Sequence, residues 1–160
     1  ALLAGRGAWP LPVLRTAFSF DPWERYEGSD LGADCVRRIV AALDQPTLKA
    51  LHEEARSLAL DVLVEGHDAE EIVRALELEP QLLGINNRNL HTFETRLETS
   101  LSLRARIPAG SEAILVTESG IQTREDVQRM LAADLHAFLI GETFMRAPDP
   151  GAALHSLFRP

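Results

Sequence analysis

The chain has 160 residues, of which 46% are hydrophobic, and a formal net charge of −8. This length suits one compact domain, and the hydrophobic fraction is too high for a disordered protein. No apolar run approaches the roughly 18 residues that cross a bilayer, and the acidic charge disfavours a nucleic-acid-binding protein, which needs a basic face. The single cysteine, Cys35, excludes an internal disulfide and a cysteine-based zinc site. Residues 1–10 lack the pattern of a secretory signal, so we expect a cytoplasmic protein.

Apolar runs alternate with amphipathic segments along the whole chain. Short apolar runs predict strands over residues 11–14, 35–43, 61–65, 82–85, 113–116 and 135–140. Helical spacing and capping residues predict helices from Asp21 and over residues 44–58, 68–76, 97–106, 123–133 and 149–158. In the helix over 123–133 the apolar face is expected to consist of Val127, Met130 and Leu131.

About six strand–helix units without hairpin turns predict an α/β fold with parallel strands and right-handed crossovers. Parallel strands are covered on both faces, which agrees with their solidly apolar composition. Arg37 and Arg38 do not fit this pattern, because adjacent strand residues face opposite ways and one guanidinium would then lie in apolar surroundings. Either this strand is less buried than the others or the sequence has drifted.

Polar residues and glycines follow four of the predicted strands. They are Glu65, Asn86 with Arg88, Glu118 with Ser119 and Gly120, and Gly141 with Glu142. In parallel α/β folds ligands bind at the carboxyl ends of the strands. We therefore expect these residues to surround a single site.

The residue types indicate an acid–base site for an anionic ligand. Two carboxylates in unequal environments, Glu65 and Glu118, can divide acid and base roles. Arg88 can bind a carboxylate or phosphate through two N–H groups, and the glycine turns after the last two strands can hold a phosphate. Each residue also has a plainer interpretation: a capping or ion-pair carboxylate, an amide that closes a turn, a surface arginine or a tight glycine turn. His67 and His91 are interpreted as structural.

Several segments resemble the indole-3-glycerol-phosphate synthase family. They read LVEGHD, LLGINNRNLHTFET, VTESGIQTREDV and AFLIGETFMRAPDPGAAL, preceded by LPVLRTAFSFDPW and LGADCVRRIVAAL. The resemblance implies a phosphate-binding (β/α)₈ barrel that closes the indole ring of 1-(2-carboxyphenylamino)-1-deoxyribulose 5-phosphate in tryptophan biosynthesis. The reaction releases carbon dioxide and water, and the resemblance implies no cofactor and no metal.

The same resemblance assigns roles to the residues after the strands. Glu65 matches the family's general base, Asn86 its substrate-orienting amide, and Arg88 an anion ligand. Glu118 and Ser119 match the pair after the family's seventh strand, and the remaining matches are phosphate-loop residues: Gly120, Gly141 and Glu142. The family commonly has a small serine at or near the position of Glu142, so we expect this carboxylate to point away from a bound phosphate.

The chain also departs from the family pattern. The resemblance begins at the family's third strand, at about residue 11, and residues 1–10 are expected to be poorly ordered or outside the pattern. A complete barrel has roughly 250 residues, so we expect one partial barrel domain over residues 1–160, with strands 3–8. Its two open edges invite self-association or a fused partner. The family's general-acid lysine is replaced by Thr16, and a neighbouring carboxylate by Ala17.

Three functions follow from these observations. The first is indole-3-glycerol-phosphate synthesis by a carboxy-lyase, truncated or impaired as the chain stands. The alternative is a sugar-phosphate-binding remnant without catalysis. A different phosphate-binding barrel, such as phosphoribosylanthranilate isomerase, is disfavoured by the segment Gly-Ile-Asn-Asn-Arg-Asn-Leu.

Overall fold

The computed structural model describes residues 11–16, 32–90 and 92–159. Within these ranges six strands form: β1 (Leu14–Arg15), β2 (Cys35–Ile39), β3 (Asp61–Gly66), β4 (Leu82–Asn86), β5 (Ile114–Glu118) and β6 (Ala137–Leu139). The helices are α1 (Gln45–Ser57), α2 (Ala69–Leu76), α3 (Glu98–Arg104), α4 (Arg124–Ala132), α5 (Glu142–Arg146) and α6 (Pro150–Phe158). A 3₁₀ turn (Val40–Ala42) follows β2. The predicted helix start at Asp21, Ala17 and His91 lie outside the described residues.

The strands form one six-stranded sheet in the order β1-β2-β3-β4-β5-β6. Every neighbouring pair is parallel. The predicted α/β partial barrel is confirmed, because six parallel strands lie side by side in chain order with helices between the described strands. That the whole chain forms one domain stays a prediction, as does the covering of the edges at β1 and β6. Among the described residues, no helix has both the length and the apolar composition of a membrane-spanning segment.

Local signals placed most helix starts correctly. Asp44, Asp68 and Asp149 each accept a hydrogen bond from a backbone N–H in the first turn of the helix that follows. Thr123 forms a capping box with Asp126 at the start of α4. The strand predicted over 35–43 ends at Ile39, where the chain enters the 3₁₀ turn, and α5 was not predicted from the sequence.

Alternate strand residues pack against the helices and form the main core. The cluster joins the strand residues Val36, Val62, Val64, Leu83 and Ile85 to Leu48, Ala55, Ile72 and Ala75 of the first two helices. A second cluster surrounds Val127 and Met130 of α4. Leu131, predicted to belong to that apolar face, is 41% exposed, so this prediction is wrong. The apolar face is narrow, and Leu131 lies beyond its edge.

The two arginines of β2 lie on opposite faces of the sheet. Arg38 is buried at 2% exposure, and its charge acts on His52 of α1, which places it on the helix-covered face. Arg37 lies on the other face and reaches two buried glutamates. Apart from Arg37, all residues of β2 are buried, so the interpretation of β2 as a less buried strand is wrong.

Candidate active site

All eight predicted site residues lie at or just after the carboxyl ends of β3 to β6, at one edge of the sheet. Six of them line one cleft of about 1070 Å³: Arg88, Glu118, Ser119, Gly120, Gly141 and Glu142. Thr16 and Arg37 line the same cleft. Glu65 and Asn86 are buried, and Asn86 Nδ2 donates a hydrogen bond of 2.7 Å to Glu65 Oε1. The strand ends therefore bring the predicted residues together.

Two buried glutamates and an arginine form the floor of the site. Glu65 and Glu118 are 1% and 2% exposed. Arg37 Nη1 lies 3.0 Å from Glu65 Oε2 and 3.8 Å from Glu118 Oε2. Burial, and then the charge of Glu65, raise the pKa of Glu118 to about 9, against the opposing effect of Arg37. Burial and the neighbouring carboxylate therefore favour the protonated form of Glu118, while Glu65 forms an ion pair with Arg37.

Gly84 makes room for the Glu118 side chain. A Cβ atom on Gly84 would lie 2.0 Å from Glu118 Oε1. Because β4 lies between β3 and β5, a residue without a side chain at this position lets Glu118 extend over β4 toward Glu65.

We expect Gly84→Ala to displace the Glu118 carboxyl group and to lower the unfolding free energy by about 1 to 3 kcal/mol, as overpacking does. The displacement separates the two carboxyl groups, so the pKa of Glu118 should fall toward its ordinary value. Carboxyl ¹³C NMR titration measures that change. Gly110→Ala is the matched control, since nothing lies within 4 Å of a Cβ there. An unchanged Glu118 titration in the Gly84 variant would contradict this account of the packing.

The Asn86 side chain is fixed at both ends. Its Nδ2 donates to Glu65, and its Oδ1 accepts a hydrogen bond of 2.9 Å from the backbone N–H of Arg88. His67 Nδ1 lies 2.7 Å from the Asn86 carbonyl oxygen. The amide thus orients Glu65, and His67 supports the end of β4, in line with its structural interpretation.

Asn87, which the sequence analysis left outside the site, holds the next turn in place. It is fully buried, its Nδ2 donates to the Ser119 carbonyl, and its Oδ1 accepts from the N–H and hydroxyl of Ser100. Ser119 and Gly120 have φ angles of 62° and 83°. A side chain on Gly120 would also meet Thr95 Cγ2 at 2.9 Å. This turn therefore requires glycine at position 120, and the hydrogen bond from Asn87 to the Ser119 carbonyl holds it in place.

Arg88 and Glu142 form an ion pair across the mouth of the cleft. Glu142 also pairs with Arg146 at 2.7 Å. The hydrogen bond from Arg88, and then the charge of Arg146, lower the pKa of Glu142. We expected the Glu142 carboxylate to point away from a bound phosphate, but it points toward the anion-binding residue Arg88. The guanidinium groups of Arg88 and Arg146 attract this carboxylate to the cleft. Gly141 has space for a side chain and a negative φ, so the fold does not require glycine there.

Among the described residues, no group of three or more His, Cys, Asp or Glu side chains is placed to hold a metal ion.

Comparison with known proteins identifies the family. The family model described as indole-3-glycerol phosphate synthase matches residues 1–157. The chain belongs to the indole-3-glycerol phosphate synthase family. The match starts at residue 1 and so includes the ten opening residues that the sequence analysis set apart.

Relatives with this name are more than half identical in sequence. Indole-3-glycerol phosphate synthases from Albidiferax ferrireducens and Aromatoleum aromaticum are 55% and 54% identical over 157 residues. The enzyme from Polaromonas naphthalenivorans is 52% identical over the same length. Each alignment covers 98% of this chain and 59% of the relative.

Solved structures agree on the barrel type. KGPDC from Streptococcus mutans superposes with a TM-score of 0.70 at 15% identity, over 98% of this chain and 74% of that protein. A native KDPGal structure gives a TM-score of 0.68 at 16% identity, over 98% of this chain and 70% of that protein. At this identity the likeness concerns the fold alone.

Arg37, like Asn87, was not among the predicted site residues, although it lies beside both buried glutamates. The signal was present, since an arginine inside an apolar strand needs an anionic partner. Its partners come from β3 and β5, and only the strand register shows that both lie within its reach.

Proposed function

We propose that this chain contains the general-base, acid and phosphate-binding residues for indole-3-glycerol phosphate synthesis. The reaction closes the indole ring of 1-(2-carboxyphenylamino)-1-deoxyribulose 5-phosphate and releases carbon dioxide and water. One observation supports this most strongly: two buried carboxyl groups, of which Glu118 has a raised pKa because of burial and the charge of Glu65, adjoin a cleft lined by Arg88. The pathway is tryptophan biosynthesis, and the resemblance implies a cytoplasmic setting.

The two glutamates take different roles in this proposal. Burial and the charge of Glu65 raise the pKa of Glu118, which favours its protonated form, and Glu118 lines the cleft, so it serves as the acid. Glu65 serves as the base, and Asn86 orients it through the hydrogen bond to Oε1. Ser119 lies in the turn that follows Glu118 and lines the same cleft.

Arg88 and the two turns hold the phosphate in this proposal. Arg88 supplies a guanidinium group, and the turns at Ser119-Gly120 and Gly141-Glu142 supply backbone N–H groups in the same cleft. A phosphate that binds Arg88 competes with the Glu142 carboxylate for this cation.

The second candidate is a sugar-phosphate-binding protein without turnover. Thr16, at the position of the family's general-acid lysine, supports it, because a threonine hydroxyl does not transfer a proton near neutral pH. Thr16 lines the cleft, and its carbonyl oxygen accepts a hydrogen bond of 2.9 Å from Arg37 Nη2. Loss of a positioned acid lowers a rate by about 10²–10⁴.

We expect the 160-residue chain to bind a reduced, non-reactive substrate analogue, and Arg88→Gln to weaken this binding by at least about tenfold. The loss of a hydrogen bond between charged groups has this size. Isothermal titration calorimetry measures both affinities. Arg129→Gln is the matched control, because Arg129 pairs with Glu98 and does not line the cleft. Equal affinities of the wild type and Arg88→Gln would refute the assigned anion site.

Indole fluorescence then separates the two candidates. The chain is expected to turn over substrate at least about 10²-fold more slowly than the Albidiferax ferrireducens enzyme. Any turnover must disappear in Glu65→Gln. Binding with turnover that depends on Glu65 supports the synthase, whereas binding without turnover supports the binding protein.

A further inference from the structure

Arg37 connects three strands at the floor of the cleft. From β2 its Nη2 donates to the Thr16 carbonyl, just after β1, while Nη1 contacts Glu65 of β3 at 3.0 Å. The same Nη1 atom lies 3.8 Å from Glu118 Oε2 of β5. One guanidinium group thus faces both buried carboxyl groups.

The two carboxyl groups are held unequally. Glu65 Oε1 accepts a hydrogen bond from Asn86, and Oε2 forms an ion pair with Arg37 at 3.0 Å but has no hydrogen-bond partner among the described residues. Glu118 Oε1 has no hydrogen-bond partner among the described residues, and Oε2 lies beyond hydrogen-bond distance from Arg37. Donors and cations favour the ionised form of the carboxyl group that they contact. The negative charge is therefore favoured on Glu65 and the proton on Glu118.

We propose that Arg37 is a positioning residue that assigns the negative charge to Glu65 and the proton to Glu118. The catalytic consequence, that Glu65 is the base and Glu118 the acid, rests on the proposed function. The assignment itself is a property of the ligand-free chain.

The charged groups that face Glu118 are few. Arg37 from β2 and Glu65 from β3 act on it. The register neighbours Asn86 on β4 and Leu139 on β6 are uncharged. Without Arg37, two buried carboxyl groups would face each other with no cation between them. The pair would then take up its second proton at a higher pH.

Carboxyl ¹³C NMR titration of the full 160-residue chain tests this inference. In Arg37→Gln we expect the lower of the two titration steps of the glutamate pair to move upward by about 1 to 3 pH units. Arg37→Lys keeps the positive charge, so its lower titration step should stay close to that of the wild type. Arg129→Gln removes one positive charge outside the cleft and should leave both steps unchanged.

An unmoved lower step in a folded Arg37→Gln chain would overturn the inference, and so would equal shifts in the Gln and Lys variants. If Arg37→Gln does not fold, the same substitution is made in the Glu118→Gln chain, where only one buried carboxyl group of the pair is left. The titration step of this group must then lie at a higher pH in Arg37→Gln/Glu118→Gln than in Glu118→Gln, by the same amount. The proposed function is tested by a different result: it fails if binding of the substrate analogue does not depend on Arg88. The two proposals can therefore fail separately.

Discussion

Glu118→Gln is expected to make the chain more stable than the wild type at pH 8, although the two are close in stability near pH 5. The pKa of Glu118 is about 9 in the folded chain and about 4.5 as a free side chain. Between these values the unfolded chain loses the proton while the folded chain keeps it. The unfolding free energy of the wild type therefore falls as the pH rises, by about 1.4 kcal/mol per pH unit for one proton. Glutamine has no proton to lose, so this contribution disappears in the variant.

Urea denaturation at several values between pH 5 and pH 8 measures the effect. The difference in unfolding free energy, variant minus wild type, should increase steadily with pH, while titrating groups remote from Glu118 contribute equally to both chains. Glu112→Gln is the matched control, since Glu112 is exposed in the irregular segment before β5. A difference that stays constant with pH would show that Glu118 ionises in the folded chain.

Asn87→Ala is expected to lower the unfolding free energy by about 3 kcal/mol or more. The variant leaves three groups without their partner: the Ser119 carbonyl and the N–H and hydroxyl of Ser100. Each buried group that loses its hydrogen bond costs about 1 to 3 kcal/mol. Because the Ser119 turn loses its anchor, binding of the reduced substrate analogue should weaken as well.

Ser100→Ala provides the graded comparison for Asn87→Ala. It removes only the hydroxyl hydrogen bond and should cost about 1 kcal/mol, since the Ser100 N–H still donates to Asn87. Urea denaturation gives both values, and calorimetry gives the affinities. Equal stabilities of the two variants would mean that Asn87 does not support the turn.

Local patterns were sufficient for much of the fold. Helix starts at Asp44, Asp68 and Thr123 depend on hydrogen bonds between residues three positions apart, so they can be read directly from the sequence. Element ends were less predictable. The sequence stays apolar beyond β2, so composition does not show where this strand ends. After Ile39 the chain forms a 3₁₀ turn, and Val40 of this turn packs into the core.

The candidate site was predicted in composition and position but not in its connections. Six predicted residues line one cleft because parallel strands in chain order place their carboxyl ends at a common edge. Asn87 was not chosen, since nothing in the sequence distinguishes an amide that binds a ligand from one that anchors a turn. Glu142 was expected to turn away, and its contact with Arg88 joins two segments that are distant in sequence.

The sequence by itself determined the alternation of strands and helices, the helix caps and the family, because these depend on residue type and short spacings. The tertiary structure alone decided that Arg37 meets Glu65 and Glu118, that Gly84 gives Glu118 its space, and that burial and the charge of Glu65 raise the pKa of Glu118. Charge and protonation depend on distances between strands and on burial from water, and both arise only when the sheet has assembled.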